Sequence, residues 1–390
     1  MEFFYRCTQC DRQFDMTPDL MLCPECSAGQ EEDRPLCGVL TVELVGEMDR
    51  PAAPAGIAAT ADIAAMLPVE PRFFPAIPVG NSPLWEPARL RSLFNRPGLY
   101  LKDDTTNPTG SLKDRASFLV AAFAGKFGIT DVVVASTGNA ASSMAGIGAA
   151  AGLSVRIFVP KSVPRAKLVQ SLQYGAQVTV VDGSYDDAFA ESMRFTRENG
   201  GLSRNTAYNP LTIEGKKTVA VEIFNQLGRM PDAVFIPTGD GAILGGVFKG
   251  FEDLIQLGFA TTMPTVVAVQ AAGSNAICRA VASGGFSDPV ASTTIADSIA
   301  VGVPANGHSV VRKLAKYAGR CVEVTDEQIL DAQKLLSEKS GLFAEPAAAS
   351  SVAGLLASQS VPEDAVTVLL VTGTGLKDVE AATHRVRIPV

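Results

Sequence analysis

The sequence predicts an α/β protein of two parallel-sheet lobes, with a small metal-binding module at its amino terminus. Three observations carry this prediction. Short β-branched runs alternate with stretches long enough for helices, and these runs are almost wholly apolar, as in parallel strands covered on both faces. Four cysteines near the amino terminus form two Cys-x-x-Cys pairs.

The predicted strands begin after residue 130 and fall into two groups. The first three are about 23 residues apart, close to a minimal βαβ repeat. A second sheet is expected to begin near Asp232, and ligands of such sheets bind beyond the carboxyl ends of the strands. We therefore expect a ligand cleft between two lobes. The predicted strands are residues 131–136, 155–160, 177–182, 232–237, 265–270 and 365–371.

Length and charge limit the class of protein. The chain has 390 residues, enough for two or three domains, and a net charge of −8, which argues against a nucleic-acid partner. No apolar stretch has the composition of a membrane helix, so no membrane partner is expected. No secretion signal opens the sequence, and we expect a cytoplasmic protein.

The cysteine pairs predict a zinc ribbon over residues 1–37. Cys7 and Cys10, with Cys23 and Cys26, have the spacing of a tetrahedral four-thiolate site. The alternatives are four buried free thiols or a redox pair. Eight acidic side chains against three arginines in this segment favour a structural module over a nucleic-acid binder. The Ala- and Pro-rich residues 38–83 read as a linker and extended connection.

Gly-rich turns follow several predicted strands and indicate an anion site. They read STGN at 136–139, TGDGAILGG at 238–246 and TGTGLKD at 372–378. A single turn of this kind is more often a tight strand-to-helix connection, but together they can cradle a phosphate with backbone N–H groups. Lys113 lies in a fourth such turn, NPTGSLKDRAS.

Three other site classes fit less well. The third glycine of the 238–246 turn is displaced for a dinucleotide fingerprint, and the next strand ends in Gln270 where a ribose-binding acid is expected. No Gly-Lys-Ser/Thr triplet marks a P-loop, and His308 and His384 leave little for a Ser–His hydrolase. A lysine with a phosphate cradle instead suggests pyridoxal phosphate.

These motifs together resemble the threonine synthase branch of the fold-type II pyridoxal phosphate enzymes. The segments NPTGSLKDR, STGN, TGDGAI and TGTGLKD carry the resemblance, supported by NPLTIEGKKT (209–218) and FAEPAAAS (343–350), and it covers roughly residues 80–380. It implies a tryptophan synthase beta-like fold and a homodimer. The large cofactor lobe would comprise residues 84–114 and 211–390, and the small mobile lobe residues 115–210.

The resemblance also implies roles for individual residues. Lys113 would hold the cofactor as a Schiff base, and Asn139 would bond the phenolic oxygen of its ring. Thr372, or less favourably Thr374, would face the ring nitrogen. The implied phosphate ligands are Gly239, Asp240, Gly241, Ala242 and Ile243, and the implied substrate ligands are Ser136, Thr137, Gly138 and Asn209.

Three nearby charged residues have two readings each. Asp114 and Arg115 are more consistent with capping and pairing near the start of a helix than with catalysis. Glu345 either lines the site or simply begins a helix, and the sequence does not separate the two.

The leading hypothesis is the conversion of O-phosphohomoserine and water to threonine and phosphate. Expected phosphate-binding residues are missing at four positions: Ala140, Ser184, Ala190 and Thr212. Phosphoserine β-replacement, as in cysteate synthase, and serine or threonine deamination therefore stay open, as does a non-catalytic zinc-ribbon binding protein. Replacement cations could come from residues that individually read as surface charges, namely Lys161, Arg165, Lys167, Arg204, Lys216 and Lys217.

Overall fold

The body of the protein is built on two parallel sheets, and a small antiparallel sheet forms its amino-terminal end. The computed structural model describes residues 1–31, 33–48, 59–358 and 361–386. Its strands are β1 Glu2–Cys7, β2 Gln13–Phe14, β3 Leu40–Val45, β4 Leu84–Trp85, β5 Leu99–Asp103, β6 Asp131–Ala135, β7 Ser154–Pro160, β8 Gln177–Val181, β9 Leu202–Ser203, β10 Ala233–Pro237, β11 Thr265–Ala271, β12 Arg320–Val324 and β13 Thr367–Val371.

The helices cover the faces of these sheets. None in the described ranges is both long and apolar enough to cross a membrane. They are α1 Ala88–Phe94, α2 Lys113–Lys126, α3 Asn139–Ala151, α4 Arg165–Gln173, α5 Tyr185–Asn199, α6 Leu211–Leu227, α7 Ala242–Gln256, α8 Ala276–Ser283, α9 Gly307–Lys316, α10 Asp326–Ser340, α11 Pro346–Ala357 and α12 Val379–Thr383, with 3₁₀ turns at Pro71–Phe73, Asp104–Thr106, Asp297–Ile299 and Gly375–Lys377.

The larger sheet has the strand order β12-β11-β10-β13-β5-β4, parallel throughout except for the short edge strand β4. Every residue of β10 and β13 is buried, because apolar side chains pack on both faces of the sheet. The predicted strands at 232–237, 265–270 and 365–371 all lie in this sheet. The prediction of a layered α/β lobe is confirmed here.

The smaller sheet has the order β8-β7-β6-β9 and is parallel throughout. One face packs on α2 and α3, and the other packs on α5. It contains the three predicted strands at 131–136, 155–160 and 177–182. Both sheets fall within the predicted lobe boundaries, which themselves remain a prediction.

The amino-terminal sheet has the order β2-β1-β3, and β3 pairs with β1 along its whole length. β3 lies in the 38–83 stretch that the sequence interpretation gave to a linker, so the ribbon continues past residue 37. The alternating burial of LTVELV explains the pairing, because one face of the strand enters the core. The Ala/Pro-rich residues 49–58 of the predicted linker lie outside the described residues.

A buried ion network joins β5, α2 and α6. The Arg115 guanidinium donates to Asp104 and to Glu222 at 2.6 Å each, and the Lys102 ammonium donates to Glu222 at 2.6 Å. These four side chains are at most 6 % exposed. Burial alone would raise the pKa of Glu222, but Arg115 and Lys102 lower it to about 2. The structural reading of Arg115 is confirmed.

Replacing Arg115 by methionine should therefore destabilise the protein by about 3–5 kcal/mol, because it leaves buried carboxylates unpaired. Denaturant unfolding at neutral pH measures this loss. Arg194→Met is the matched control, since Arg194 pairs with Glu191 and Glu198 on an exposed helix face and such pairs contribute about 1 kcal/mol or less. Equal losses in the two variants would contradict the assignment.

Candidate active site

The turn after β5, the turn after β13 and the segment before α11 contact one another. The N–H of Leu112, next to Lys113, donates to Thr372 O at 2.8 Å, and Ser111 forms a bridge with Gly373. Ala344 forms a bridge with Thr374, which brings in the start of α11. The predicted convergence of the lysine turn and the TGTG turn is therefore present in the fold.

Lys113 is the first residue of α2 and is half-buried. Gly110 in the preceding turn has a φ of 85°, and a Cβ there would lie 2.8 Å from the Thr374 side chain, so only glycine fits. Burial lowers the pKa of Lys113, opposed by the nearby Asp240 and reinforced by Arg204. A lowered pKa favours the neutral amine, which is the nucleophilic form that attacks an aldehyde.

The turn from Gly239 to Ile243 joins β10 to α7 and has the shape of an anion cradle. A Cβ on Gly239 would lie 2.8 Å from Ile299 Cα, and Gly241 has a φ of 82°. The N–H groups of Gly239, Asp240, Gly241 and Ile243 make no hydrogen bond within the described part of the chain. Free donors at a helix amino terminus fit a phosphate group.

Asp240 is an unusual residue for such a turn, because its carboxylate carries the same sign of charge as a phosphate. Its Oδ1 accepts the Ala242 N–H at 2.8 Å, so it occupies one donor of the cradle. Burial would raise the pKa of Asp240, but Lys113 and Lys216 lower it. The turn therefore holds a carboxylate among cations.

The two threonines of the TGTG turn differ in their availability. Thr374 Oγ1 accepts the Leu376 N–H and caps the 3₁₀ turn that follows. The Thr372 hydroxyl makes no hydrogen bond with the residues described, and Thr372 O is bonded to the segment before Lys113. Thr372 is the better placed of the two to meet a ring held on Lys113.

Asn139 begins α3 and is held by a buried carboxylate. Its Nδ2 donates to Glu345 Oε1 and Oε2 at 3.0 and 2.9 Å, and to Ser298 Oγ at 3.1 Å. Gly373 leaves room for Glu345, because a Cβ there would lie 2.6 Å from Glu345 Oε1. Of the two readings of Glu345, the structure supports the one in which it lines the site.

Replacing Glu345 by glutamine should flatten part of the pH dependence of stability. Burial raises the pKa of Glu345, so the folded state binds its proton more tightly than the unfolded chain does. Its contribution is therefore lost as pH rises from about 4.3, the ordinary Glu value, through the raised folded pKa. Free energies of unfolding of the two cofactor-free proteins across this pH range test the point. A wild-type minus variant difference that stays constant with pH would contradict it.

The start of α3 also offers backbone donors to the cleft. Gly138 N–H is engaged by Ser136 Oγ at 3.2 Å, whereas the N–H groups of Thr137, Asn139 and Ala140 have no partner among the described residues. Thr137, Gly138, Asn139 and Glu345 line a cavity of about 700 Å³. Lys113 and the 239–243 turn are not among its lining residues, so this cavity is the part of the cleft beyond Asn139.

Several residues singled out in the sequence have structural positions instead. Asn209 is 1 % exposed, and its amide donates to Ser203 O and accepts the Leu211 N–H, so it does not face the cleft. Thr212 Oγ1 donates to Asn209 O, and Ser184 caps the exposed start of α5. Asp114 is buried and bonded to Thr109, which confirms its structural reading.

The reading of all six extra cations as surface charges is wrong for three of them. Lys161 and Arg165 are exposed, and Lys167 pairs with Asp297 at 2.8 Å. Arg204, Lys216 and Lys217, in contrast, are 0 % exposed. Lys217 pairs with Asp253 at 2.7 Å in a second buried network, because α6 is packed between α2 and α7.

The four ribbon cysteines are gathered into one cluster. The sulfur atoms of Cys7, Cys10, Cys23 and Cys26 lie within 4.8 Å of one another, and the Gln9 N–H donates to Cys7 Sγ at 3.4 Å. Four clustered thiols with a backbone donor to sulfur suit a tetrahedral metal ion.

Comparisons with known proteins agree with this site. Residues 76–373 match the family model described as pyridoxal-phosphate dependent enzyme. The threonine synthase of Methanocaldococcus jannaschii is 35 % identical over 321 residues, covering 80 % of this chain and 78 % of the relative. That of Halalkalibacterium halodurans is 36 % identical over 315 residues, covering 79 % and 86 %.

Solved structures show the same fold at lower identity. Maize serine racemase superposes with a TM-score of 0.69 at 22 % identity, covering 78 % of this chain and 91 % of that one. The processed threonine deaminase isoform 2 from Solanum lycopersicum also gives 0.69, at 20 % identity, covering 86 % and 98 %. With a lysine, a phosphate-type turn and a free threonine hydroxyl brought together, the chain belongs to the threonine synthase branch of the pyridoxal-phosphate dependent enzymes.

Proposed function

We propose that this protein is a threonine synthase that converts O-phosphohomoserine and water to threonine and phosphate. The relatives named threonine synthase, matched over about four-fifths of the chain, support the reaction. The observation that carries the proposal is the proximity of Lys113, the 239–243 turn and the Thr372 hydroxyl, which has no hydrogen-bond partner among the described residues.

Different residues would hold different parts of the cofactor. Gly239, Gly241 and Ile243 would donate backbone N–H groups to its phosphate, Asn139 would donate its amide to the ring oxygen, and Thr372 would meet the ring nitrogen. When bound, the cofactor supplies a ring that withdraws electrons from the substrate carbons. Beside a neutral hydroxyl, the ring withdraws electrons less strongly than it would beside an acid. This favours elimination and replacement over transamination.

The substrate would be oriented from the other side of the cleft. The free N–H groups of Thr137, Asn139 and Ala140 would bind its carboxylate at the start of α3. Lys113 Nζ, whose pKa burial lowers toward the neutral amine, would take and return protons at the substrate carbons. Glu345 would keep the Asn139 amide in place.

Binding of the substrate phosphate requires donors other than the residues at positions 140, 184, 190 and 212, where the family resemblance predicts them. Ala140 and Ala190 lack polar side chains. The Ser184 hydroxyl caps α5, and the Thr212 hydroxyl is engaged by Ala207 N–H and Asn209 O. Lys377 is the best placed replacement, because its ammonium lines the cavity and donates to Ser142 Oγ and Gln170 Oε1 at 2.9 Å each. The missing donors favour deamination of serine or threonine, which carry no phosphate, as the second candidate, and β-replacement on phosphoserine is a further alternative.

Turnover of O-phosphohomoserine separates these functions. The purified yellow protein should release phosphate and form threonine in equal amounts, and should act far more slowly on phosphoserine, serine and threonine. Activity on one of those three without turnover of O-phosphohomoserine would overturn the proposal in favour of that reaction. Absence of cofactor colour and of any turnover would favour a non-catalytic protein.

We also propose a structural zinc ion on Cys7, Cys10, Cys23 and Cys26, and a homodimer in the cytoplasm. The clustered thiols support the metal, and all seven cysteines are free in the structure, as suits a reducing compartment. Metal analysis of the purified protein should find one zinc per chain, and light scattering should give twice the 40.8 kDa chain mass.

A further inference from the structure

Lys216 is a fully buried lysine without a partner. It is 0 % exposed, and its Nζ makes no hydrogen bond with the part of the chain that the structure describes. The neighbouring Lys217 and Lys249 are also buried, but each pairs with Asp253. Burying a charged amine without a partner is costly, so an anionic ligand from outside the chain would stabilise the charged form of Lys216.

The packing of α6 on α7 fixes where Lys216 is directed. A Cβ on Gly246 would lie 2.8 Å from Lys216 Cβ, and a Cβ on Gly250 would lie 2.8 Å from Ala220 Cβ. The contact advances by four residues along both helices, so the helices run in the same direction. Because helical side chains tilt toward the amino terminus, Lys216 is directed to the start of α7, where the 239–243 turn lies.

The charges around Lys216 leave a positive surplus. Lys113 at the start of α2, Arg204 after β9 and Asp240 before α7 all act on it. Arg204 donates to Ser117 and Thr206 and has no carboxylate partner in the described ranges. Three cations against one carboxylate leave two positive charges when all are ionised, which equals the charge of a phosphate dianion.

Three further titratable groups face this cluster. Asp114, on α2, acts on Arg204, and burial raises its pKa. Glu345, before α11, acts on Lys113, and burial raises its pKa. Tyr185, at the start of α5, acts with Asp240 and Arg204, and burial raises its pKa to about 12. All three shifts are toward the neutral form of the group, which reduces the negative charge set against the surplus.

We infer that Lys216 is a direct ligand of the cofactor phosphate and offsets the carboxylate of Asp240 in the same cradle. The inference rests on the proposed placement of the cofactor on Lys113. A substrate phosphate is the weaker alternative, because Lys216 does not line the cavity beyond Asn139, where Thr137, Gly138 and Lys377 lie. Asp240 and Lys216 are thus a matched pair, in which the lysine compensates for the acid.

Comparing pyridoxal phosphate with pyridoxal isolates the contact, since only the former carries a phosphate. Cofactor-free wild type, Lys216→Met and Lys216→Arg are titrated with each aldehyde, and the visible absorbance of the lysine-bound form is followed. Lys216→Met should lower the affinity for pyridoxal phosphate by roughly tenfold to a hundredfold, because one charge-assisted bond is lost. The affinity for pyridoxal should not change. Lys216→Arg should recover most of the affinity.

Lys334→Met is the matched control, because Lys334 is half-exposed on α10 and has no role in the proposed site. It should bind both aldehydes as the wild type does. If Lys216→Met lowers the affinity for the two aldehydes equally, or lowers neither, the inference that Lys216 binds the phosphate is wrong. If the wild type binds neither aldehyde, the cofactor placement itself fails, which is a separate result.

A second measurement decides the question if Lys216→Met does not fold. Burial lowers the pKa of Lys216 well below its usual value and Lys113 lowers it further, so a bound phosphate should raise this pKa and favour protonation of Nζ. Wild-type titrations by calorimetry at pH 8, in buffers of different ionisation enthalpy, count the protons taken up. Pyridoxal phosphate should take up about one proton more than pyridoxal. Equal proton uptake would overturn the inference.

Discussion

Replacing Lys113 by alanine is expected to remove the yellow colour of the protein and to lower turnover by roughly 10⁴-fold or more. The change removes both the covalent attachment of the cofactor and the amine that moves protons at the substrate carbons. The side chain is half-buried, and its Nζ makes no hydrogen bond with the described residues, so its loss should cost little stability. Absorbance spectra and steady-state rates measure the two effects.

Lys334→Ala is the control for this change, because it removes a lysine from a half-exposed helix position. It should keep the colour and the rate. A Lys113→Ala protein that unfolds at the wild-type temperature but is colourless and inactive fits the assignment. Retained colour with a retained rate would place the reactive lysine elsewhere.

Removing the proposed zinc from the ribbon is expected to have the second largest effect, first on the folding of the ribbon and then on cofactor affinity. Structural zinc contributes about 10–16 kcal/mol to the folding of zinc-finger peptides. The ribbon buries too little apolar surface to replace that contribution. Chelation, or Cys23→Ser, should therefore unfold the segment.

The effect should reach the phosphate cradle through direct contacts. Ribbon residues Leu22, Leu36 and Val39 form one apolar cluster with Ile213 and Ala242, the first residue of α7. Leu36 N–H also donates to Ala305 O at 3.1 Å. The ribbon thus supports the base of the 239–243 turn.

Asn306, which follows Ala305, connects this contact to the 239–243 turn. Asn306 N–H donates to Asp240 O at 2.9 Å, and Asn306 Nδ2 donates to Gly241 O at 3.1 Å. Loss of this support should weaken pyridoxal phosphate binding by about tenfold, equivalent to 1.4 kcal/mol. Titration of the chelated protein with pyridoxal phosphate measures the change.

Cys37→Ser is the matched control, because Cys37 lies in the same segment but outside the cluster of four thiols. It should leave metal content and cofactor affinity as in the wild type. A chelated protein that has lost its zinc and still binds pyridoxal phosphate with unchanged affinity would show that the ribbon does not support the cradle.

Most of the strands that the sequence predicts are nearly fully buried, although β8, also predicted, has no buried residue. β6, β10 and β13 are short apolar runs, and their composition alone identifies them. β5 and β12 were missed, because they read LYLKD and RCVEV, with charged residues inside the strand. In β5 that charge, Lys102, is buried and paired with Glu222, 120 residues away in the sequence. The sequence around Lys102 does not indicate a partner so far away in the chain.

The candidate site was predicted best where a motif fixes the backbone. Lys113 and Thr372 follow β5 and β13, neighbouring parallel strands of the larger sheet, so their convergence follows from the sheet order, whereas Asn139 follows β6 of the smaller sheet. Asn209 lies in a motif too, but its amide caps α6, which only the folded hydrogen-bond pattern reveals. The burial of Lys216 was also invisible, because adjacent lysines in a sequence usually indicate an exposed helix face.

Chemical reduction of the yellow protein, followed by peptide mapping, tests the central claim most directly. Reduction makes the bond between lysine and cofactor permanent, and mass spectrometry of the digested chain then identifies the modified residue. The account predicts a single phosphopyridoxyl group on the peptide that contains Lys113. Modification of Lys216, Lys377 or another lysine in place of Lys113, or of none, would contradict it.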